Sequence, residues 1–236
     1  MNEPPATPCE LSIVVPTYGG AQSLPLLWER LARTLDGLGL SWEVVLVDDA
    51  SPDGTAEVIR SLQAADVRLR CLRLAVNRGQ HRATVSGMRA ALGSRVVTID
   101  DDLQQAPESI PALLAALDAG AQVAVARFVR SEHPLWRRAG SALAQRLLRA
   151  RRGRPEVVIT SFKAFTRPAI DRLLPAIPEG HFYLGAIMLA TIEAKSIVNV
   201  DLPHFARQHG RSGYSALRLV RLAIALARDS ILRPAG

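Results

Sequence analysis

Short, largely apolar, β-branched runs alternate with longer amphipathic stretches through the first half of the chain. The runs are Leu11 to Val15, Glu43 to Val47, Arg68 to Leu74, Arg95 to Ile99 and Gln122 to Ala126; between them lie Ser23 to Leu38, Thr55 to Leu62, Arg82 to Leu92 and Pro107 to Leu117. Ile13-Val14-Val15, Val44-Val45-Leu46-Val47 and Val96-Val97-Thr98-Ile99 show no polar alternation, as expected of strands covered on both faces. Strands and helices in turn predict βαβ units, and so an α/β fold whose mainly parallel sheet has helices on both sides.

In such sheets ligands sit beyond the carboxyl ends of the strands. Three of these ends are polar in a way a core does not require: Pro16-Thr17-Tyr18-Gly19-Gly20, Asp48-Asp49-Ala50-Ser51-Pro52-Asp53-Gly54-Thr55, and Asp100-Asp101-Asp102-Leu103-Gln104. Ser51 or Asp53 capping the next helix is a purely structural reading of part of the second. It leaves Asp48 and Asp49 unexplained. Three adjacent carboxylates ending a buried strand repel one another unless a cation or hydrogen-bond donors neutralise them. At strand spacing Asp100 and Asp102 share one side and Asp101 takes the other. Oxygen-only ligands favour Mg²⁺ or Mn²⁺ bound together with substrate phosphates; a solvated acidic turn is the alternative.

The 236 residues, 48% of them hydrophobic, suffice for one folded domain, or a domain with a tail, rather than a disordered chain. The net charge of +7 comes almost wholly from arginine, because Lys163 and Lys195 are the only lysines. Nine arginines and one acid lie between Arg127 and Arg154, and six arginines and one acid from His204 onward. The second half is thus suited to phosphate. Only 5% of the chain is aromatic, which with the acidic strand ends argues against nucleic acid as a partner. Cys9 and Cys71 belong to no metal-binding or redox motif and are expected to be free thiols. No run reaches bilayer-spanning length and MNEPPATPCE lacks signal-peptide character, so a cytoplasmic location is expected.

The succession P-T-Y, V-D-D-A-S-P-D-G-T, N-R-G-(x)7-G and D-D-D-L-Q resembles the family 2 glycosyltransferases with the GT-A nucleotide-diphospho-sugar fold. D-x-D-L-Q, Arg127, Arg137, Ser141 and the late R-x-x-G-x-S-x-Y from Arg207 to Tyr214 are similar, more narrowly, to dolichol-phosphate mannose synthases and bacterial undecaprenyl-phosphate sugar transferases. The resemblance implies a flexible N-terminus over residues 1–10. A catalytic domain follows over 11–214, with a nucleotide half (11–126) and an acceptor half (127–214), and then an amphipathic helix over 215–236. It further implies that Pro16 and Tyr18 pack around the nucleotide, that Asp48, beside Asp49, contacts the base, and that Asp101 lies by the ribose or sugar. Asp100, Asp102 and Gln104 would hold the metal against the donor diphosphate, Arg127, Arg137 and Ser141 would grip phosphates, and Arg207 would close over the donor. Gly19-Gly20 departs from the family's usual Asn-Glu, Gly213 stands where lysine is common, and Thr160-Ser161-Phe162-Lys163 lacks the glycine of the usual T-S-G-F.

Hydroxyl-directed relatives resemble one another in an E-D pair on a helix of the second half; here Gly180 to Met188 has no carboxylate. A phosphate acceptor is already ionised and needs no base. His181 reads either as a base or as a packed helix-start residue. The reading is an inverting, metal-dependent transferase moving a sugar from a nucleotide-sugar donor to a polyprenyl phosphate. The alternatives are transfer to a glycan or natural-product hydroxyl, and a catalytically silent nucleotide-binding subunit. Ser215 to Leu232 reads as a helix that either packs on the core or lies on a membrane surface, and Arg137 to Arg154 is a second such segment. Many relatives continue into transmembrane helices, so peripheral docking at the cytoplasmic membrane, or a membrane-protein partner, is expected.

Overall fold

The computed structural model describes residues 9–129, 157–180 and 182–203. The five expected strands are β1 (Leu11–Thr17), β2 (Trp42–Asp48), β3 (Leu69–Arg73), β4 (Arg95–Thr98) and β5 (Val123–Phe128). Between them run α1 (Leu24–Asp36), α2 (Thr55–Ala65), α3 (Gln80–Ala90) and α4 (Ile110–Asp118), the last led in by a 3₁₀ turn over Pro107–Ser109. The second half adds β6 (Lys163–Thr166), α5 (Arg167–Leu173), α6 (Leu184–Thr191) and β7 (Ile197–Leu202). None of these four was marked by the hydrophobic pattern of the first half.

The seven strands form one sheet in the order β3-β2-β1-β4-β6-β5-β7. Pairings β1–β2, β1–β4, β2–β3 and β5–β7 are parallel, whereas β6 runs antiparallel between β4 and β5. The sheet is therefore mainly parallel with one reversed strand. The reversal matters for the site, because it brings the first residue of β6, Lys163, to the edge where β1, β2, β4 and β5 end.

Side-chain alternation divides the core between the two faces. Leu11, Ile13 and Val15 of β1 and Val97 and Ile99 at β4 join a cluster with Leu27, Leu31 and Leu35 of α1, Ile59 of α2 and Leu113 and Leu117 of α4. Val14 and Val96 face the other way, with Val85 and Met88 of α3, Ile170 and Leu173 of α5 and Leu184 and Met188 of α6. In α1 the buried leucines recur at helical spacing, Leu24, Leu27, Leu31 and Leu35, and Pro25 occupies the first turn, where its missing N–H removes no helical bond. On the opposite face α3 lies close to the sheet. A Cβ at Gly87 would collide with Val14 and come within 2.9 Å of Val47 Cγ2.

A buried polar network anchors the far end of α3. Glu43 is 6% exposed. Its carboxylate accepts from Ser12 Oγ (2.7 Å), the Leu92 N–H (2.7 Å) and Arg70 Nη1 (2.7 Å). The loop leaving α3 is thereby fixed to the amino-terminal side of β1 and β2. The opposite edge remains for ligands.

Candidate active site

β4 ends at Thr98, so Asp100, Asp101 and Asp102 occupy a turn rather than the strand itself. Their divergence comes from that turn. Leu103 adopts a left-handed backbone (φ 62°) while its side chain is 1% exposed within the core. A left-handed leucine costs about 1–2 kcal/mol, which the surrounding packing has to offset. The reversal brings Gln105 back onto the strand end, where its Oε1 accepts the Asp100 N–H at 3.0 Å.

Asp100 is held by three neutral donors: Gln80 Nε2 to Oδ1 (2.6 Å), Gln105 Nε2 to Oδ2 (2.9 Å) and Ser161 Oγ to Oδ2 (2.5 Å). Burial nonetheless pushes its carboxyl up to about 6, and the Asp102 charge adds to the rise, while Ser161, Lys163 and Gln80 oppose it. Asp101 turns the other way, toward β1, and accepts from Thr17 Oγ1. Burial raises it to about 7, against that hydrogen bond and with help from its two acidic neighbours. Asp102 Oδ1 accepts the Gln104 N–H at 3.0 Å. Asp101 thus parts from Asp100, with a turn rather than strand alternation as the cause.

The second acidic end lies beside β1. Asp48, 1% exposed, accepts the Ser51 N–H at 2.8 Å through Oδ1, while its enclosed Oδ2 accepts no hydrogen bond and has Arg73 Nε at 3.4 Å. Asp49 takes the Arg78 and Gly79 N–H groups, one on each oxygen, at 2.7 and 2.8 Å. It thereby shapes the N-R-G loop in front of α3. Ser51 does not cap α2; its Oγ accepts the Gly19 N–H at 3.0 Å and ties the loop after β1 to the loop after β2. The N-cap of α2 is Gly54, and Asp53 before it accepts the Thr55 N–H at 3.2 Å. Tyr18 projects from this rim, 56% exposed, and Pro16 is buried in β1.

Gly20, one of the two departures after P-T-Y, has a steric cause in this chain. A Cβ there would overlap Thr17 Oγ1 and lie 2.6 Å from Asp101 Oδ2. The Thr17–Asp101 contact fills the room that a side chain at position 20 would need.

Beyond Asp100, on the α3–α6 face, stands Lys163, 4% exposed. Burial lowers its ammonium to about 8, opposed by the charge of Asp100. His81 of α3 is pushed down to about 4 by burial and then by Lys163. Its ring meets Tyr183 edge-on at 5.1 Å and Phe182 at 6.3 Å. Arg82 braces the same corner, donating to the carbonyls of Pro178 (2.9 Å) and Gly180 (2.6 Å) with its guanidinium 4.9 Å from the Phe182 ring. Sequence reasoning passed over Lys163, His81, Gln80, Gln105 and Ser161; the missing glycine before Phe162 was the one available signal.

Arg127, at the end of β5, forms a two-pronged pair with Asp201 of β7, the second contact at 2.8 Å, and is partly exposed. Arg137, Ser141, Arg207, His181 and the helix expected over 215–232 lie outside the described residues, as does the segment from Arg137 to Arg154. Cys9 and Cys71 are free, as expected. Among the described residues no helix is long and apolar enough to cross a membrane.

Among the described residues no three His, Cys, Asp or Glu side chains converge on one point. The acid tip nevertheless suits a hard divalent cation. Its donors are oxygens, Asp100 and Asp102 are in electrostatic contact, and such ions complete their shells with water and phosphate.

Sheet order, acidic strand ends and the helices on both faces define a GT-A nucleotide-diphospho-sugar fold. Residues 12–174 match glycosyl transferase family 2, and the chain belongs to that family. It is 33% identical over 215 residues to the undecaprenyl-phosphate 4-deoxy-4-formamido-L-arabinose transferases of Salmonella paratyphi B and Salmonella newport, covering 90% of this chain and 65% of each relative. The chain thus spans somewhat less than two thirds of their length. Among solved structures it is similar to glucosyl-3-phosphoglycerate synthase from Mycobacterium tuberculosis, in complex with Mn²⁺, UDP-glucose and phosphoglyceric acid. That match has a TM-score of 0.72 at 21% identity over 97% of this chain and 82% of the other. The complex of the same enzyme with Mn²⁺, UDP and glucosyl-3-phosphoglycerate also gives 0.72, at 20% identity, with 100% and 88% covered.

Proposed function

We propose that this domain transfers a sugar, with inversion, from a nucleotide-diphospho-sugar to the phosphate of a polyprenyl carrier lipid. The observation that carries the reading is an acidic strand edge with, among the described residues, a neighbouring helix α6 that offers no general base. α6, Leu184–Thr191, contains no titratable side chain, and His81 is held near 4. A hydroxyl acceptor needs its proton removed. A phosphate monoester, with a second pKa of about 6, does not. Its oxygen attacks the anomeric carbon while the bond from that carbon to the nucleoside diphosphate breaks and the electron pair leaves with the diphosphate. The names of the Salmonella relatives, transferases onto undecaprenyl phosphate, support the same acceptor.

On this reading Pro16, Tyr18, Asp48 and Asp49 shape the seat of the base and ribose, and Asp101 lies by the ribose or sugar. Asp100, Asp102 and Gln104 would hold Mn²⁺ or Mg²⁺, which when bound neutralises charge on the departing diphosphate. The Mn²⁺ in the structures of similar fold supports a divalent ion. Arg127, Arg137 and Ser141 take phosphate, with Arg127 sharing its guanidinium between phosphate and Asp201, and Arg207 closes over the donor. A lipid acceptor puts the domain at the cytoplasmic membrane, docked through residues 215–236 or a separate membrane partner.

The test is incubation with a panel of nucleotide sugars, Mn²⁺ and undecaprenyl phosphate, with extraction of the lipid. Sugar recovered on undecaprenyl phosphate from one donor is the expected result. Transfer only to a sugar hydroxyl, or nucleotide binding with no transfer to any acceptor, would overturn it.

A further inference from the structure

We propose that the Lys163 ammonium receives the phosphate of the acceptor, on the far side of the acid tip from the nucleotide. The proposal rests on the phosphate-acceptor reading above and adds a binding residue to it.

The sheet order supplies the geometry. Asp48 and Asp49 end β2, Thr17 ends β1, Asp100 to Asp102 follow β4, and β6 is the next strand. On the proposed function the nucleotide would lie over β2 and β1 and the diphosphate over β4. The anomeric carbon and its attacker come next, and Lys163 opens β6. Pairing with Thr98 and Val125 puts its side chain on the face of α3 and α6, alongside His81 and the Tyr183 that precedes α6.

Lys163 is also chemically unfinished. Among the described residues it forms no hydrogen bond and no ion pair within 4.0 Å, and the Asp100 charge alone offsets its burial, although a buried ammonium without a close partner is disfavoured. A buried cation at the strand edge that carries the acid tip, beside a helix without acids, suits an anion that arrives with the substrate. Asp100 takes its hydrogen bonds from Gln80, Gln105 and Ser161 rather than from Lys163.

The experiment compares wild type, Lys163→Met, Lys163→Gln and Lys163→Arg with Mn²⁺, the active donor and undecaprenyl phosphate in detergent, varying donor and acceptor separately. Inorganic phosphate serves as a competing probe, which separates recognition of the headgroup from recognition of the lipid. Lys163→Met is expected to fold, because an apolar chain replaces an unpaired buried charge. If it does not, Lys163→Gln takes its place. The expected result is an acceptor KM raised ~10-fold or more, with donor KM within about twofold, part of the loss restored in Lys163→Arg, and weaker competition by inorganic phosphate. An unchanged acceptor KM, or equal loss of donor and acceptor, would overturn the proposal while wild-type transfer still upheld the proposed function. Wild type inert toward undecaprenyl phosphate would reject both.

Discussion

Asp49 and Gly79 are joined by a 2.8 Å hydrogen bond from the glycine N–H to the carboxylate, whose other oxygen takes the Arg78 N–H at 2.7 Å. Gly79 has a left-handed φ of 84°, a conformation glycine adopts without strain, and so aims consecutive amides at one acid. Asp49 therefore shapes a loop rather than presenting itself wholly to a ligand. Asp49→Ala removes two charge-assisted bonds and is expected to weaken nucleoside diphosphate binding ~10-fold or more by calorimetry with Mn²⁺. Unchanged affinity would show that the loop holds its shape unaided.

Asp102→Ala should lower sugar transfer by at least ~100-fold, and chelator should abolish the wild-type reaction, if Asp102 helps hold the cation. Full activity in the presence of chelator would remove the metal from the mechanism.

Ala50, in the loop after β2, has a φ of 59°. Ala50→Gly relieves a left-handed alanine but gains chain entropy on unfolding, for a net stabilisation of about 0.5–1 kcal/mol. The melting temperature should rise by roughly 2 °C. A lower value would mean that the loop tolerates alanine without strain.

Glu43→Ala leaves the Leu92 N–H, Ser12 Oγ and Arg70 without their shared acceptor in a buried setting. A loss of about 3 kcal/mol is expected from the urea midpoint at constant slope. Because the network lies at the edge opposite the site, residual folded protein should keep its donor KM.

Arg68 holds Asp66 below its ordinary 3.8, chiefly through a side-chain hydrogen bond, and stacks 3.8 Å over Trp42. A carboxyl lowered in the folded state stabilises above its unfolded pKa and loses that contribution as pH falls through the folded one. Asp66→Asn should therefore lower stability near neutral pH and flatten its decline in acid below about 3.8. Parallel acid-denaturation curves for the two proteins would contradict the assignment.

The first half was readable because β1, β2 and β4 are covered on both faces and so appear as nearly unbroken apolar runs, with acids standing at or just past the ends of β2 and β4. β6 was hidden. Four residues beginning with a lysine give no such run, and Lys163 is buried for reasons unrelated to hydrophobicity. β7, with Asn199 and Asp201 in its length and a sheet edge on one side, is similarly weak as a pattern. The supports of the acid tip were hidden by chain separation. Gln80, Ser161 and Thr17 reach Asp100 and Asp101 from 20, 61 and 84 residues away. Only the sheet order brings them together.

The bare backbone at Gly20 ties two motifs into one steric unit. Any side chain there would evict Asp101 from Thr17, so transplanting the P-T-Y-G-G or the D-D-D-L-Q segment alone into a homologue with a bulkier residue at the first site would leave an acid stranded. Chimeras of this enzyme class should exchange both segments together, and laboratory evolution should change them in pairs.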